Sequence, residues 1–242
     1  MALQVYRAGD AEFGHYIKAL VCGDPGSGKT RFGSTCPNVF YANAEGGLMS
    51  VQDRRPAAAN ITSVGDMREL YMALKQNPDV RANMLGVPVE TLVLDTIDEL
   101  ARIYVKERLR ETNSDTMKIA DWGWLGDQLR TLVRALRNLD MNVILTCHLK
   151  SVKDEETGRV FFAPAIPGAM GDEIPGYVDV AGVLKSSSPM EIVNGKNVCV
   201  TRRHLQLFAD QNHPWVKDRS GRLPLEFPIN LNDDFTRMHD LI

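Results

Sequence analysis

The chain has 242 residues, 44% hydrophobic and 24% charged, with a formal net charge of −3. This is length for one large α/β domain over 1–242, and the charge excludes nucleic-acid binding through a global positive field, leaving only local basic patches. No apolar run approaches membrane-spanning length, and Arg7, Asp10 and Glu12 stand where a signal region would be apolar. Cys22, Cys36, Cys147 and Cys199 show no metal-ligand spacing, so the expectation is a cytoplasmic protein with reduced thiols and no membrane partner.

Residues 16–22 form an apolar, β-rich run that predicts a strand. Gly23-Asp24-Pro25-Gly26-Ser27-Gly28-Lys29-Thr30 then completes the pattern G-x-x-x-x-G-K-[ST], and a helix is expected from Thr30 at least to Cys36, where Pro37 stops it. Strand, glycine-rich turn and helix together form a phosphate-binding loop, in which successive backbone N–H groups curl around an anion. The spacing predicts that residues 23–31, ending at Arg31, hold the phosphates of a nucleotide. Lys29 would reach the β/γ-phosphates and Thr30 would place its hydroxyl on Mg²⁺.

Further along, residues 38–43 read as a second strand and 61–64 as a short third. Asp66 can cap a helix with Met67, Leu70, Tyr71 and Leu74 at helical spacing, which Pro78 ends. Residues 89–95 predict a buried strand and 96–111 a helix. Residues 112–123 read as a polar loop, 124–139 as a long helix with a leucine stripe, and 141–147 as another buried strand. The last third changes character. Residues 152–162 predict a hairpin turned at 156–158, and 164–175 a loop rich in Gly and Pro. Strands are expected at 181–185, 190–193 and 197–203, with Asn194-Gly195 as a hairpin turn. Alternating strands and helices followed by hairpins imply a three-layer α/β/α fold with a mostly parallel central sheet and C-terminal antiparallel hairpins.

Strand ends carry the remaining chemistry. Asp95 can hold Mg²⁺ beside Thr30; alone it would read as a helix-capping acid, but after a phosphate loop the metal role is favoured, with Asp98 a weaker competitor. Glu45 can orient and deprotonate a water attacking the γ-phosphate, against the alternative of a solvated turn acid beside Gly46-Gly47. His148 either senses the γ-phosphate or is satisfied by a neighbouring carbonyl, and spacing leaves both open. Lys217 and Arg219 point to one side of an extended chain. An isolated K-x-R of this kind reads as a solubilising turn.

In order from about Tyr16 to Gly221, these residues resemble the RecA-like recombinase and ring-ATPase superfamily. Ala44-Glu45 matches the family's catalytic glutamate, and Leu92-Val93-Leu94-Asp95-Thr96 its metal-binding strand. His148 stands where RecA itself carries Gln. Lys217-x-Arg219-x-Gly221 looks like the K-x-R finger of RadA- and DnaB-like ring ATPases, which contacts nucleotide in a neighbouring subunit. Pro164-Ala165-Ile166-Pro167-Gly168 and Asp179 are similar to a group of phage-encoded, core-only ATPases implicated in single-strand annealing; with only a short stretch before the first strand, the expectation is a core without an added N-terminal domain.

The resemblance implies an ATP-hydrolysing homo-oligomer, ring or filament, that binds single-stranded DNA and works with an ssDNA-binding protein. It places two DNA loops at about 112–124 and 150–176. Lys118 and Trp122 lie in the first, where Trp124 reads equally as packed under the long helix. Lys150, Lys153 and Arg159 lie in the second, weakened by Asp154, Glu155 and Glu156. Arg130, Arg134 and Arg137 read as a solvated face that could instead join a phosphate track or subunit contact. The competing readings are a helicase-like ring motor, a module in which ATP only orders the assembly, and, less well supported, a small-molecule kinase.

Overall fold

A computed structural model describes residues 16–193 and 196–242. Short apolar runs give the inner strands β1 (Lys18–Cys22), β2 (Val39–Asn43), β4 (Thr91–Asp95) and β5 (Asn142–Cys147), with β3 (Ala57–Asn60) at an edge. A detached hairpin, β6 (Leu149–Lys153) and β7 (Val160–Pro164), follows β5 directly. Then come β8 (Val180–Ser187), a second detached hairpin of β9 (Met190–Val193) and β10 (Lys196–Cys199), β11 (Arg202–Gln206), β12 (Lys217–Asp218) and β13 (Glu226–Ile229). The helices are α1 (Lys29–Gly33), α2 (Val64–Leu74), α3 (Pro78–Leu85), α4 (Ile97–Glu111), α5 (Ile119–Arg137), α6 (Met170–Tyr177) and α7 (Asp234–Leu241).

The main sheet has the order β13-β11-β8-β1-β5-β4-β2-β3, with β12 also on β8. From β3 to β8 the pairing is parallel; β11, β12 and β13 run antiparallel. Period-two alternation separates two cores. Leu20, Cys22, Leu92, Leu94, Val143 and Leu145 face α2, α4 and α5 through Leu70, Leu100, Leu129 and Val133. Ala19, Val21, Tyr41, Val93 and Ile144 face the other way, onto Phe32 of α1 and Phe235 and Met238 of α7. The three-layer α/β/α arrangement is therefore as the alternation predicts.

Several local expectations are corrected. The third strand is Ala57–Asn60 rather than 61–64: an alanine run becomes a strand because β2 pairs with it, while Ser63 leaves the sheet to cap α2. Pro78 does not end α2; it opens α3 behind the Asn77 cap, a position where its missing N–H costs nothing. The long helix begins at Ile119, inside the predicted loop, despite Gly123. Asp121 accepts from Lys118 N at 3.0 Å and from Arg108 Nε at 2.8 Å, which fixes that helix start and ties it to α4. Part of the expected 164–175 loop is α6, whose Met170 and Ile174 are buried. The predicted 197–203 strand divides into β10 and β11, and only β11 joins the main sheet. The Asn194-Gly195 turn lies outside the described residues; β9 and β10 pair on either side of it.

Candidate active site

β1, β2, β4 and β5 finish at the same edge of the sheet, where open α/β folds bind ligands. A cavity of about 450 Å³ opens there, lined by Pro25, Gly26, Gly28, Lys29, Thr30, Arg31, Glu45 and His148, among others. Gly26 and Gly28 have φ of 78° and 109°, conformations that side chains resist. At Gly23 a Cβ would lie 2.6 Å from Ser27 Oγ and 2.7 Å from Leu184 O. The predicted helix to Cys36 is cut to the five residues of α1, continued by the tighter bonds Thr35 N to Phe32 O and Cys36 N to Gly33 O. So short a helix contributes little macrodipole, and the local N–H groups and Lys29 carry the anion-binding capacity.

Lys29 is buried and its Nζ donates to Gly23 O at 2.8 Å and Asp24 O at 3.1 Å, folded back over the loop. Ser27 Oγ is buried with no hydrogen-bond partner among the described residues. Arg31 lines the cavity, but its guanidinium is held by Asp53 and by Ser50 O.

Below the loop, Thr30 Oγ1 donates to Asp95 Oδ2 at 2.8 Å, and Thr146 Oγ1 donates to Asp95 Oδ1. Glu45 is placed by the β2–β4 ladder running one step past its end: Ala44 N and Glu45 N both donate to Asp95 O, at 2.8 and 3.1 Å. Burial raises the Glu45 pKa, with Asp95 and Asp98 adding to the rise and His148 and Lys29 opposing it.

His148 is engaged on both sides. Its Nδ1 lies 3.0 Å from Asp98 Oδ2 and its backbone N donates to Asp98 Oδ1 at 3.2 Å. Its Nε2 lies 3.7 Å from Glu45 Oε1. An ionised carboxylate only accepts, so Nδ1 carries the proton shared with Asp98 and Nε2 faces Glu45. Burial disfavours the Asp98 charge, but the hydrogen bonds from His148 and Thr96 outweigh it and hold its pKa below the usual value. Asp98 is thus not a rival to Asp95 for Thr30; it orients the histidine. The partner of His148 is a carboxylate, not the carbonyl that one sequence reading allowed.

The residues fit a nucleotide with Mg²⁺. Two glycines in left-handed conformations and an orphaned buried hydroxyl shape a phosphate cradle, and Thr30 with Asp95 offers the hard oxygen ligands that Mg²⁺ takes in small number beside phosphates and water. A family model described as AAA domain matches residues 15–214. The chain belongs to the AAA domain family. A comparison with curated proteins finds no match. AAA domains are P-loop NTPases, and this one is accordingly a nucleotide-binding ATPase.

Other predicted positions lie outside the AAA domain's phosphate cavity. Lys217 and Arg219 sit on and after β12, opposite the starting half of β8, away from the loop at the finishing end of β1. Arg219 Nη2 donates to Gly176 O at 2.6 Å, and its Nη1 lies 3.6 Å from Asp179 Oδ1. Burial lowers the Lys217 pKa, and the neighbouring Arg219 charge lowers it further. Lys118 precedes α5 and Trp122 stands exposed in its first turn, while Trp124 packs against Tyr104, with Arg108 5.0 Å from its ring.

Lys150, Lys153 and Arg159 belong to the β6–β7 hairpin, but Lys150 Nζ is spent on Ile166 O at 2.7 Å and Arg159 on Gln211 O. No hydrogen bond or ion pair joins this group to Lys118 or Trp122 among the described residues. Arg130 forks onto Glu173, and Arg134 lies 5.1 Å from the Tyr177 ring, so two of the three helix cations pack α6 onto α5. No described helix is long and apolar enough to cross a membrane.

Sequence reasoning missed Arg203. It enters the cavity from β11 and its Nε donates to Ser27 O at 3.1 Å. Nothing in its local sequence marks it, because the contact spans 176 positions and exists only through the antiparallel extension of the sheet.

Proposed function

We propose that this AAA domain is an ATP-hydrolysing, RecA-like single-strand annealing or recombination protein of the phage type. In this reading it acts as a homo-oligomer on single-stranded DNA, alongside an ssDNA-binding protein. One observation carries the reading: Glu45, at the mouth of the cradle, touches His148, and His148 is the residue immediately before the β6–β7 hairpin. A change at the γ-phosphate position therefore has a two-residue route into a hairpin that bears Lys150, Lys153 and Arg159.

Within one copy, Gly23–Thr30 binds and orients the polyphosphate, and Thr30 with Asp95 holds Mg²⁺, which when bound neutralises charge on the phosphate oxygens. Glu45 orients the attacking water and accepts its proton, a role suited by its raised pKa. Asp98 keeps His148 aimed at Glu45. Lys217 and Arg219 act on the nucleotide of a neighbouring copy; their position away from their own loop supports this assignment.

The deciding measurement is ATPase rate and particle mass, each with and without ssDNA, from low to moderate salt. The reading expects an oligomer whose turnover responds to ssDNA. A monomer whose turnover ignores ssDNA would reject it, and directional unwinding of a forked substrate would replace it with a ring motor.

A further inference from the structure

We infer that Arg203 is a second, cis-acting phosphate cation of the nucleotide site, reaching the polyphosphate of a nucleoside triphosphate from the antiparallel side of the sheet. The inference rests on the nucleotide reading of the cavity and deepens it. Three cationic side chains line this space. Lys29 donates to two loop carbonyls, at 2.8 and 3.1 Å. Arg31 is neutralised by Asp53 and also donates to Ser50 O. Arg203 uses only Nε, on Ser27 O; neither terminal nitrogen is engaged among the described residues. A guanidinium is always charged and presents its donors in a planar fork matched to phosphate oxygens. Here one edge of that fork is anchored to the loop it would serve, so the remaining donors are already oriented.

The placement is closely constrained. Arg203 pairs with Ser186 on β8 and Ile229 on β13, so its backbone is fixed from both sides. A Cβ on Gly28 would lie 3.3 Å from Arg203 Nε and 3.4 Å from its Cδ. The glycine at 28 therefore serves two ends: its φ of 109° and the room it leaves for this side chain. The other polar and charged side chains lining the cavity include Lys29, Arg31, Glu45 and His148; Glu45 Oε1 lies 3.7 Å from His148 Nε2, and no ion pair joins Glu45 to Arg203 among the described residues. Among the described residues neither Lys29 nor Arg203 pairs with a carboxylate; Lys29 spends its donors on the loop carbonyls, which leaves Arg203, at the wall opposite Glu45's strand, as the cavity cation whose terminal donors are unspent.

The test uses the full chain and two probes with Mg²⁺, a non-hydrolysable ATP analogue and inorganic tripolyphosphate. Arg203→Gln keeps a neutral donor for Ser27 O but no charge. It should weaken both probes by about 10- to 100-fold, the usual range for losing a charge-assisted hydrogen bond. Arg203→Lys should recover part of that loss. Binding of both probes within about twofold of wild type would overturn the inference, and so would weakened binding of the analogue alone, which would place Arg203 on the base or ribose. Lys29→Ala separates the two readings: if it abolishes binding while Arg203→Gln does not, only Arg203 is misassigned. A wild-type chain that binds neither probe ends both. Should the Gln variant fail to fold, phenylglyoxal labelling of wild type gives the answer. Tripolyphosphate should shield Arg203 from modification, and unshielded Arg203 rejects the inference.

Discussion

Glu45 and Asp98 sit on either side of one imidazole, and exchanging each for its amide should produce different defects. Glu45→Gln preserves shape and the backbone bond to Asp95, so affinity for the ATP analogue should stay within about threefold of wild type while hydrolysis falls by about 10²-fold or more. Tight binding with unchanged turnover would remove Glu45 from the chemistry. The raised Glu45 pKa has a sign: the carboxylate becomes a competent base only above the ordinary value of 4.5, so the acid limb of kcat/KM should fall at a higher pH than 4.5. In Asp98→Asn an amide can donate to Nδ1, favouring the tautomer that carries its proton on Nε2. We expect kcat to drop about tenfold with analogue affinity retained, an effect on positioning of the kind seen when a histidine loses its orienting carboxylate. Equal loss in kcat and affinity would instead indicate a collapsed site.

Different elements carry different kinds of signal in the sequence. The buried strands β4 and β5 and helix α4 announce themselves because their apolar pattern and their function in the core coincide. β3 does not, since Ala57-Ala58-Ala59 has no strand preference and gains it only from β2. The cap of helix α2 stands three residues before the predicted Asp66. Ser63 is the cap, and Asp66 closes the box by accepting from Thr62 N and Ser63 N. Ser63→Ala should cost about 1 kcal/mol in denaturant unfolding. The Thr62 and Ser63 donors lower the Asp66 pKa from 3.8 to about 2. A depressed folded pKa means stability present above 3.8 and lost as pH falls toward 2, so Asp66→Asn should flatten the acid slope of stability in that window. An unchanged slope would assign the acid loss to other carboxylates.

At the scale of the whole molecule, the test is whether two copies share a site. Lys217 lies on β12 opposite the starting half of β8, and Arg219 just beyond it binds Gly176 O, both away from the loop at the finishing end of β1. A variant lacking both cations and a Lys29→Ala variant should each be inactive, and their mixture should regain ATPase activity, since mixed interfaces would join an intact loop to an intact cation pair. A mixture as inactive as its parts would place the pair outside the reaction. Arg219 also holds Gly176 O, so the melting temperature of the cation-free variant should be measured beside the activity.

By itself the sequence determined the phosphate loop, because its chemistry is local: eight consecutive residues set the backbone shape, the lysine and the hydroxyl. It also determined the layered parallel sheet, whose period-two and helical patterns are local too. Only the tertiary structure decided that Asp98 serves His148, that Lys150, Arg159 and Arg130 are occupied within the chain, and that Arg203 joins the cradle. Each of these depends on which distant partner a polar group finds. That choice is made by strand order and register, which bring residues far apart in the chain within about 3 Å of one another, the separation of a hydrogen bond.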